Sequence, residues 1–366
     1  MDTMTTKKKV AIIGGGVSGL LSALEFQKRD WKIDVYDPDL LTGNSGFGFL
    51  LMPNGVSGLK KLGYWNPIEV ACTPIKKVNI LDDDNNALNV RQVDNIYGIS
   101  RHHFLEALSA DLGSNVHRIP QKIVLQSDQS LYLNDTLWDH EGYQWVVGCD
   151  GIHSQVRKKL FPDAEMIDAP TYEINGSYMD LAFTQEHAGN LYKIIFDTMG
   201  IALGILPLHT GQVIWFLQLS KKHFGTPEEK NLSLADFVKH TVQHFHHPWI
   251  LNIVENHLEG LYLWKGKILL GVDQYIQDKY ILLGDAAHVV LPFTSQGTNL
   301  AIDDIVSLTE TMDKMDSKDE IAIQHFNNRR EACERIAFEG MEYAHLFSNN
   351  DSKFMINHMP LVFDQL

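Results

Sequence analysis

Three clusters of residues in this 366-residue sequence have the types and spacing to hold a ligand. The first, Gly14-Gly15-Gly16-Val17-Ser18-Gly19, fits G-x-G-x-x-G. In that pattern one glycine permits a tight turn, one lets the backbone approach a pyrophosphate, and one lets helix and strand pack closely. A helix that starts there turns free N–H groups and a positive dipole end toward phosphates, so Gly14, Gly16, Ser18 and Gly19 are candidate binding positions. Asp37, 18 residues beyond Gly19, stands where an acid accepts hydrogen bonds from a ribose 2′-OH. The second cluster is Asp150-Gly151, in which Gly151 admits a close backbone and Asp150 can hold a hydroxyl. The third is Asp285, placed by the apolar run Tyr280 to Leu283 at the carboxyl end of a buried strand, where open α/β sheets bind ligands. Gly297-Thr298-Asn299 then begins a helix whose N-terminus offers N–H groups and partial positive charge. Arg101 opens another helix, at 101–112, and carries the planar fork that meets a pyrophosphate. Arg157 could hold the Asp150 loop by an ion pair. Each has an ordinary structural alternative: a solvated loop acid for Asp37, an N-cap for Asp285, a solvated helix start for Arg101 and a surface arginine for Arg157.

The elements that must position these residues are legible in outline. Val10 to Ile13 reads as a strand, Val17 to Lys28 as a helix, and Ile33 to Tyr36 as a second strand, which is a βαβ unit with a parallel sheet. In the middle of the chain Tyr192 to Phe196, Ile201 to Leu206 and Val213 to Leu219 read as neighbouring strands, with a hairpin loop at 209–212. Leu234 to Phe245 and Gly297 to Met312 read as helices, and Asp319 to His345 as a long amphipathic one expected to pack on the first domain. The predicted fold is therefore α/β: a Rossmann-like nucleotide-binding domain (1–72, 98–168 and 268–366) with an inserted antiparallel β-sheet domain (73–97 and 169–267) and C-terminal helices. Strand residues such as Ile195, Leu203 and Trp215 are candidates for the cavity wall, although periodicity by itself does not say which face they take.

Composition narrows the class. Hydrophobic residues make up 44% and charged ones 21%, ordinary values for a globular chain with a large core. Lys and Arg total 31 against 46 Asp and Glu, a net charge of −15, which argues against nucleic acid or an anionic membrane as partner. Cys72, Cys149 and Cys333 are too few and too scattered for a disulfide framework, which suits a reducing, cytoplasmic setting. Lys7, Lys8 and Lys9 before an apolar run imitate a signal peptide, but the glycines at 14, 15, 16 and 19 interrupt it. No apolar run has the length of a membrane span. His240, His244, His246 and His247 are clustered without a completing carboxylate or cysteine, so no metal is expected. The aspartates at 82–84 read as a solvated turn.

Taken in order, the glycine turn, the run Val146-Val147-Gly148-Cys149-Asp150-Gly151-Ile152-His153-Ser154-Gln155-Val156-Arg157, and the run Tyr280-Ile281-Leu282-Leu283-Gly284-Asp285-Ala286-Ala287-His288 resemble the three fingerprints of the flavin-dependent aromatic hydroxylases, the para-hydroxybenzoate hydroxylase-like FAD monooxygenases. The third continues through Pro292-Phe293-Thr294-Ser295-Gln296-Gly297-Thr298-Asn299 to Asp303-Asp304. The segment 46–55 (GFGFLLMPNG), Arg101-x-x-Phe104-Leu105-x-x-Leu108, and Phe326-Asn327-Asn328-Arg329-Arg330 look like further family segments.

The resemblance implies FAD as cofactor, NAD(P)H as co-substrate, and O₂ passing through a C4a-(hydro)peroxyflavin to an aromatic, polyketide-like or other electron-rich small molecule, by hydroxylation or epoxidation. It implies FAD contacts at Asp150-Gly151 and Asp285, Pro292 and Phe293 beside the flavin ring, and a site role for His288. It implies no obligatory protein partner, and the extra C-terminal thioredoxin-like domain of larger members is not expected. An FAD-dependent halogenase is disfavoured by the lack of a W-x-W motif. An FAD oxidoreductase without oxygen insertion, on lipids or polyprenyl chains, is a further alternative, and so is a flavin-binding protein that has lost catalysis. The sequence departs from the family at Asp37-Pro38, where Glu-Arg is common, and has no arginine between Arg29 and Arg91. Ser295 replaces a usual glycine, and Cys149 a common alanine.

Overall fold

A computed structural model describes residues 7–39, 47–196 and 200–349; Gly46, the first residue of the segment 46–55, lies outside them. Strands that are apolar on both faces belong in a sheet covered on both sides. β1 (Lys9–Ile13), β2 (Lys32–Tyr36), β6 (Val116–Ile119), β10 (Trp145–Gly148) and β17 (Tyr280–Leu282) form such a sheet, parallel, in the order β17-β10-β1-β2-β6. The short β16 (Ile276–Gln277) runs antiparallel at its edge. Helix α1 (Val17–Lys28) joins β1 to β2, which is the βαβ unit expected. The register pairs Ile13 with both Tyr36 and Gly148, and Gly148 with Leu282. Consequently the glycine turn, Asp37, Asp150 and Asp285 all leave the sheet along one edge, at the carboxyl ends of four adjacent strands.

The second sheet has eight strands, in the order β15-β11-β14-β13-β12-β4-β5-β3. They are β3 (Gly48–Leu51), β4 (Thr73–Leu81), β5 (Ala87–Ser100), β11 (Glu165–Met179), β12 (Asn190–Phe196), β13 (Ile201–Pro207), β14 (Gln212–Ser220) and β15 (Tyr262–Leu270). The sheet is not purely antiparallel: β12 and β4 pair in parallel. They come from distant parts of the chain, so no hairpin imposes the opposite direction. β3, inside the range 1–72, extends this sheet through β5. A small sheet of β7 (Ile123–Leu125), β8 (Leu131–Leu133) and β9 (Thr136–Leu137) lies beside α5 (Gln155–Leu160).

The remaining helices are α2 (Pro53–Leu62), α3 (Trp65–Glu69), α4 (Arg101–Ser109), α6 (Leu181–Glu186), α7 (Lys221–Phe224), α8 (Leu234–Val242), α9 (Pro248–Asn256), α10 (Gly297–Lys314) and α11 (Lys318–Ser348). α8 stops short of the predicted Phe245. It and α9 cover the outer face of the second sheet, where Phe237, Val242, Ile250 and Ile253 meet Leu203, Trp215 and Leu217. α11 does more than pack on the first domain. Cys333, Ile336, Ala337 and Phe347 also reach Ile195, Ala202 and Ile268 beneath the second sheet, so one helix joins both layers. Each buried Ile or Phe among them contributes roughly 1.5–3 kcal/mol by leaving water. Among the described residues no helix is long and apolar enough to cross a membrane.

Candidate active site

A cavity of about 470 Å³ opens between the carboxyl edge of the parallel sheet and the inner face of the second sheet. At its base, Gly14 has φ +102°, and a Cβ there would collide with the Cys149 carbonyl of the neighbouring strand end. A Cβ on Gly19 would likewise strike the Gly14 carbonyl. These two glycines let the β1–α1 turn lie flat on its neighbours. The Asp37 carboxylate accepts the Gly15 N–H and the Asp39 N–H, so it braces the turn. Gly16 caps α1 without a side-chain hydrogen bond, and Gly16, Val17 and Ser18 face the cavity, which leaves first-turn N–H groups for an anion.

Arg101 is the first residue of α4, behind a Ser100 cap whose hydroxyl accepts the His103 N–H at 3.2 Å. Its guanidinium comes up to Gly16 and faces the cavity with no hydrogen bond among the described residues. Burial pulls its basicity down, and the nearby charges of Asp285 and Asp37 oppose that. Asp285 also faces the cavity, its carboxylate without a hydrogen bond among the described residues. Desolvation raises its carboxyl above the ordinary value against the pull of His288, Arg101 and Arg157.

The turn that carries Asp285 is held from behind. Asp304 Oδ2 accepts the Gly284 N–H at 2.8 Å. Arg157 donates to the Asp285 and Ala286 carbonyls at 3.0 and 3.1 Å, and to the Ile152 carbonyl at 2.5 Å. The ion pair expected of Arg157 is therefore replaced by carbonyl contacts, which suture the Asp150 turn to the Asp285 turn. Asp150 accepts from the Ser154 hydroxyl at 2.5 Å and the Gln155 N–H at 2.6 Å, anchoring α5, while Gly151 (φ +73°) faces the cavity. Burial raises the Asp150 carboxyl and those hydrogen bonds oppose it. Cys149 is buried, and burial pushes its thiol up, so it is a packing residue.

Around α10 the predicted residues separate. Pro292, Ser295, Gly297 and Thr298 line the cavity. Asn299 does not: it is buried, accepting the Met52 N–H at 2.9 Å and donating to the Leu50 and Ser295 carbonyls at 3.0 and 2.8 Å. Phe293 turns into the core against Phe347. Ser295 takes a left-handed conformation (φ +53°), which explains why a glycine suits this place.

His288 lies behind the cavity rather than in it, buried, with Nε2 2.7 Å from Asp304 Oδ2. Arg329 Nε reaches Asp304 Oδ1 at 2.8 Å. Burial works against the charge on His288 and Asp304, yet each holds the other: the imidazolium is raised well above its ordinary value and the carboxyl lies well below its own. His288, Asp304 and Cys333 are the one trio with metal-ligand spacing among the described residues, but Arg329 already supplies positive charge at Asp304. His288 is thus placed as a positioning residue for the Asp285 turn.

The opposite wall is the inner face of the second sheet. Leu203 and Trp215 face the other way, toward α8 and α9. The residues on the wall include Lys193, Phe216, Gln218, Glu173 and Asn175. Sequence reasoning misses Lys193, Gln218 and Glu173, although a charge inside Tyr192-Lys193-Ile194-Ile195-Phe196 is a usable signal.

These residues fit FAD. Two helix N-termini without side-chain caps and a free guanidinium suit a diphosphate and the electron-rich edge of a reduced ring, and the open Asp285 carboxylate suits a polyol. Comparison with known proteins agrees. The FAD binding domain family matches residues 142–319. The chain is 26% identical over 338 residues to kynurenine 3-monooxygenase of Flavobacterium johnsoniae, covering 85% of this chain and 74% of that enzyme. Its fold matches 2-methyl-3-hydroxypyridine-5-carboxylic acid oxygenase with a TM-score of 0.79 at 18% identity, over 97% of this chain and 94% of the other. It also matches Klebsiella pneumoniae HpxO complexed with FAD and uric acid, with a TM-score of 0.78 at 15% identity, over 96% and 92%.

Proposed function

We propose that this chain, an FAD-dependent monooxygenase of the para-hydroxybenzoate hydroxylase-like family, uses NAD(P)H and O₂ to hydroxylate an aromatic or polyketide-like small molecule in the cytoplasm. The observation that carries this reading is one cavity with the Asp285 carboxylate, the α10 N-terminus and Pro292 on one side and the inner face of the second sheet on the other. FAD supplies the electron transfer from NAD(P)H to O₂ and the oxygen insertion when bound. The chain's own residues position and insulate that chemistry.

Arg101 and the first-turn N–H groups of α1 would hold the diphosphate, with Gly14, Gly16, Ser18 and Gly19 giving it room. Asp37 would serve the adenosine ribose, Asp285 the ribityl hydroxyls, and Gly151 a close backbone contact beside Asp150. The Gly297 and Thr298 N–H groups would stabilise negative charge on the reduced ring. Pro292 would sit against the ring, and Asn299 and His288 would keep the two turns in place. Leu206, Ile214 and Phe216 exclude water from the facing wall. In this reading the cofactor unit comprises 1–72, 98–168 and 268–366, and the substrate unit 73–97 and 169–267.

The test is the visible spectrum of the purified protein before and after anaerobic NADPH. A flavin spectrum that bleaches, with oxygen uptake stimulated by an aromatic substrate, is the expected result. A colourless protein that refuses added FAD overturns the reading.

A further inference from the structure

Strand register sets the inner wall of the second sheet in rows. Lys193, Gly204, Phe216 and Asn175 lie across from one another on β12, β13, β14 and β11. The adjacent row on the same face is Ile195, Ala202, Gln218 and Glu173. β13 contributes only Ala202 and Gly204 to these two rows, so the long side chains from either side have room to converge over it. Lys193, Glu173 and Gln218 are buried at 4%, 7% and 2% exposure, yet all three line the cavity.

Their hydrogen bonding is incomplete in a specific way. Gln218 Nε2 donates to Glu173 Oε1 at 2.6 Å, which orients the amide. That leaves Gln218 Oε1 as a buried acceptor with no donor, and Lys193 Nζ as a buried donor with no acceptor. Lys193 Nζ is 5.5 Å from the Phe293 ring centre and 5.9 Å from that of Phe347, so the ammonium stands over the helical turn that begins at Pro292. A buried unpaired ammonium and a buried unpaired carbonyl each cost free energy unless a partner arrives. Burial pulls the Lys193 ammonium down to about 8 and pushes the Glu173 carboxyl up to about 7, and the charge of each opposes the shift of the other, so Glu173 steadies the ammonium without a hydrogen bond to it.

We propose that Lys193 and Gln218, oriented by Glu173, form the substrate-recognition site, and that the substrate presents an anionic oxygen to Lys193 Nζ and a neighbouring N–H or O–H donor to Gln218 Oε1. This rests on the oxygenase reading above and narrows it from any electron-rich ring to rings bearing an acidic oxygen beside a donor. Carboxylates and ionised phenols share that chemistry. Glu173 is a positioning residue in this arrangement, because its carboxylate fixes which way the Gln218 amide points.

The experiment is calorimetric binding to the FAD-loaded protein with paired probes. 2-Aminobenzoate is compared with its methyl ester and with benzoate, and 4-nitrocatechol with 1,2-dimethoxy-4-nitrobenzene. Wild type is expected to bind at least one anion about ten-fold or more tighter than its neutral counterpart, the scale of a buried charge-assisted hydrogen bond. Which anion wins identifies the acidic group. Lys193→Met is expected to abolish that preference and leave binding of the neutral counterpart within about three-fold, while Lys193→Arg restores part of it. Gln218→Met is expected to erase the preference for 2-aminobenzoate over benzoate. Equal binding of acid and neutral partner by wild type, no binding by any probe, or a preference that survives Lys193→Met overturns the proposal. Reduction of the bound FAD by NADPH is followed in the same samples. If reduction proceeds while the acid preference is missing, the recognition site falls alone. If the preference is present and NADPH leaves the FAD oxidised, the oxygenase reading falls and the binding site stands.

Discussion

Two of the clusters in which the molecule buries charge treat it oppositely. Behind the Asp285 turn, Asp304 is met by His288, Arg329 and the Gly284 N–H, so both carboxylate oxygens are engaged. On the sheet wall, the Lys193 ammonium and the Gln218 carbonyl oxygen are buried with no hydrogen bond among the described residues. The first arrangement engages both carboxylate oxygens without a ligand and keeps a turn in one shape, leaving only His288 Nδ1 at its rim without a hydrogen bond among the described residues. The second is incomplete, and its missing partners describe the kind of molecule that would finish it. Burial by itself therefore does not separate the two clusters; what separates them is an unsatisfied buried group that also faces the cavity.

The largest expected effect breaks the cluster around Asp304. Asp304→Asn leaves His288 and Arg329 as buried cations, and should cost about 3–5 kcal/mol in thermal or denaturant unfolding, with loss of retained FAD. The pH dependence has a definite sign. Because the folded Asp304 carboxyl lies well below its unfolded value, its contribution is complete above the ordinary carboxylate range and is lost as pH falls through it. The wild type should thus lose stability on acidification, and Asp304→Asn should lose less.

Next is Asp285→Ala, which removes the open carboxylate without touching the network behind it. It should weaken FAD binding roughly ten- to hundred-fold in a flavin fluorescence titration, with little change in the unfolding of the FAD-free protein. Full FAD occupancy in that variant would remove Asp285 from the binding set.

A smaller effect of opposite sign tests the other half of the comparison. Lys193→Met removes a buried ammonium that no hydrogen bond satisfies, a gain partly offset by the lost attraction to Glu173, and should raise stability by about 1 kcal/mol, measured by denaturant midpoint. A loss of several kcal/mol instead would mean that the two clusters are both scaffolds. The smallest is Ser295→Gly, which relieves a left-handed residue and should gain about 0.5–1 kcal/mol in the same measurement.

Much of the cofactor side is legible in the amino-acid sequence. The Gly14 to Gly19 turn, Asp37, Asp150 and Asp285 each follow an apolar run, and in a parallel sheet the ends of such runs fall on one edge. Details that depend on three-dimensional partners are not legible there. Arg157, expected to bind a carboxylate, instead holds three carbonyls; His288 and Asn299, expected within the site, instead brace it. A residue next to a motif can point either way, and only its neighbours decide which.

What the sequence determined on its own was the α/β class and the line of glycines and acids along one sheet edge, because those rest on local rules: glycine geometry, apolar runs and helix starts; the chemistry is implied instead by the resemblance of its motifs to those of the flavin-dependent aromatic hydroxylases. What the tertiary structure decided was the content of the opposite wall. Ile195, Leu203 and Trp215 look alike in a strand pattern, yet Leu203 and Trp215 lie under α8 and α9 while Lys193, Gln218 and Glu173 face the cavity. A two-residue period says that side chains alternate between faces; which face becomes a cavity depends on where distant helices pack.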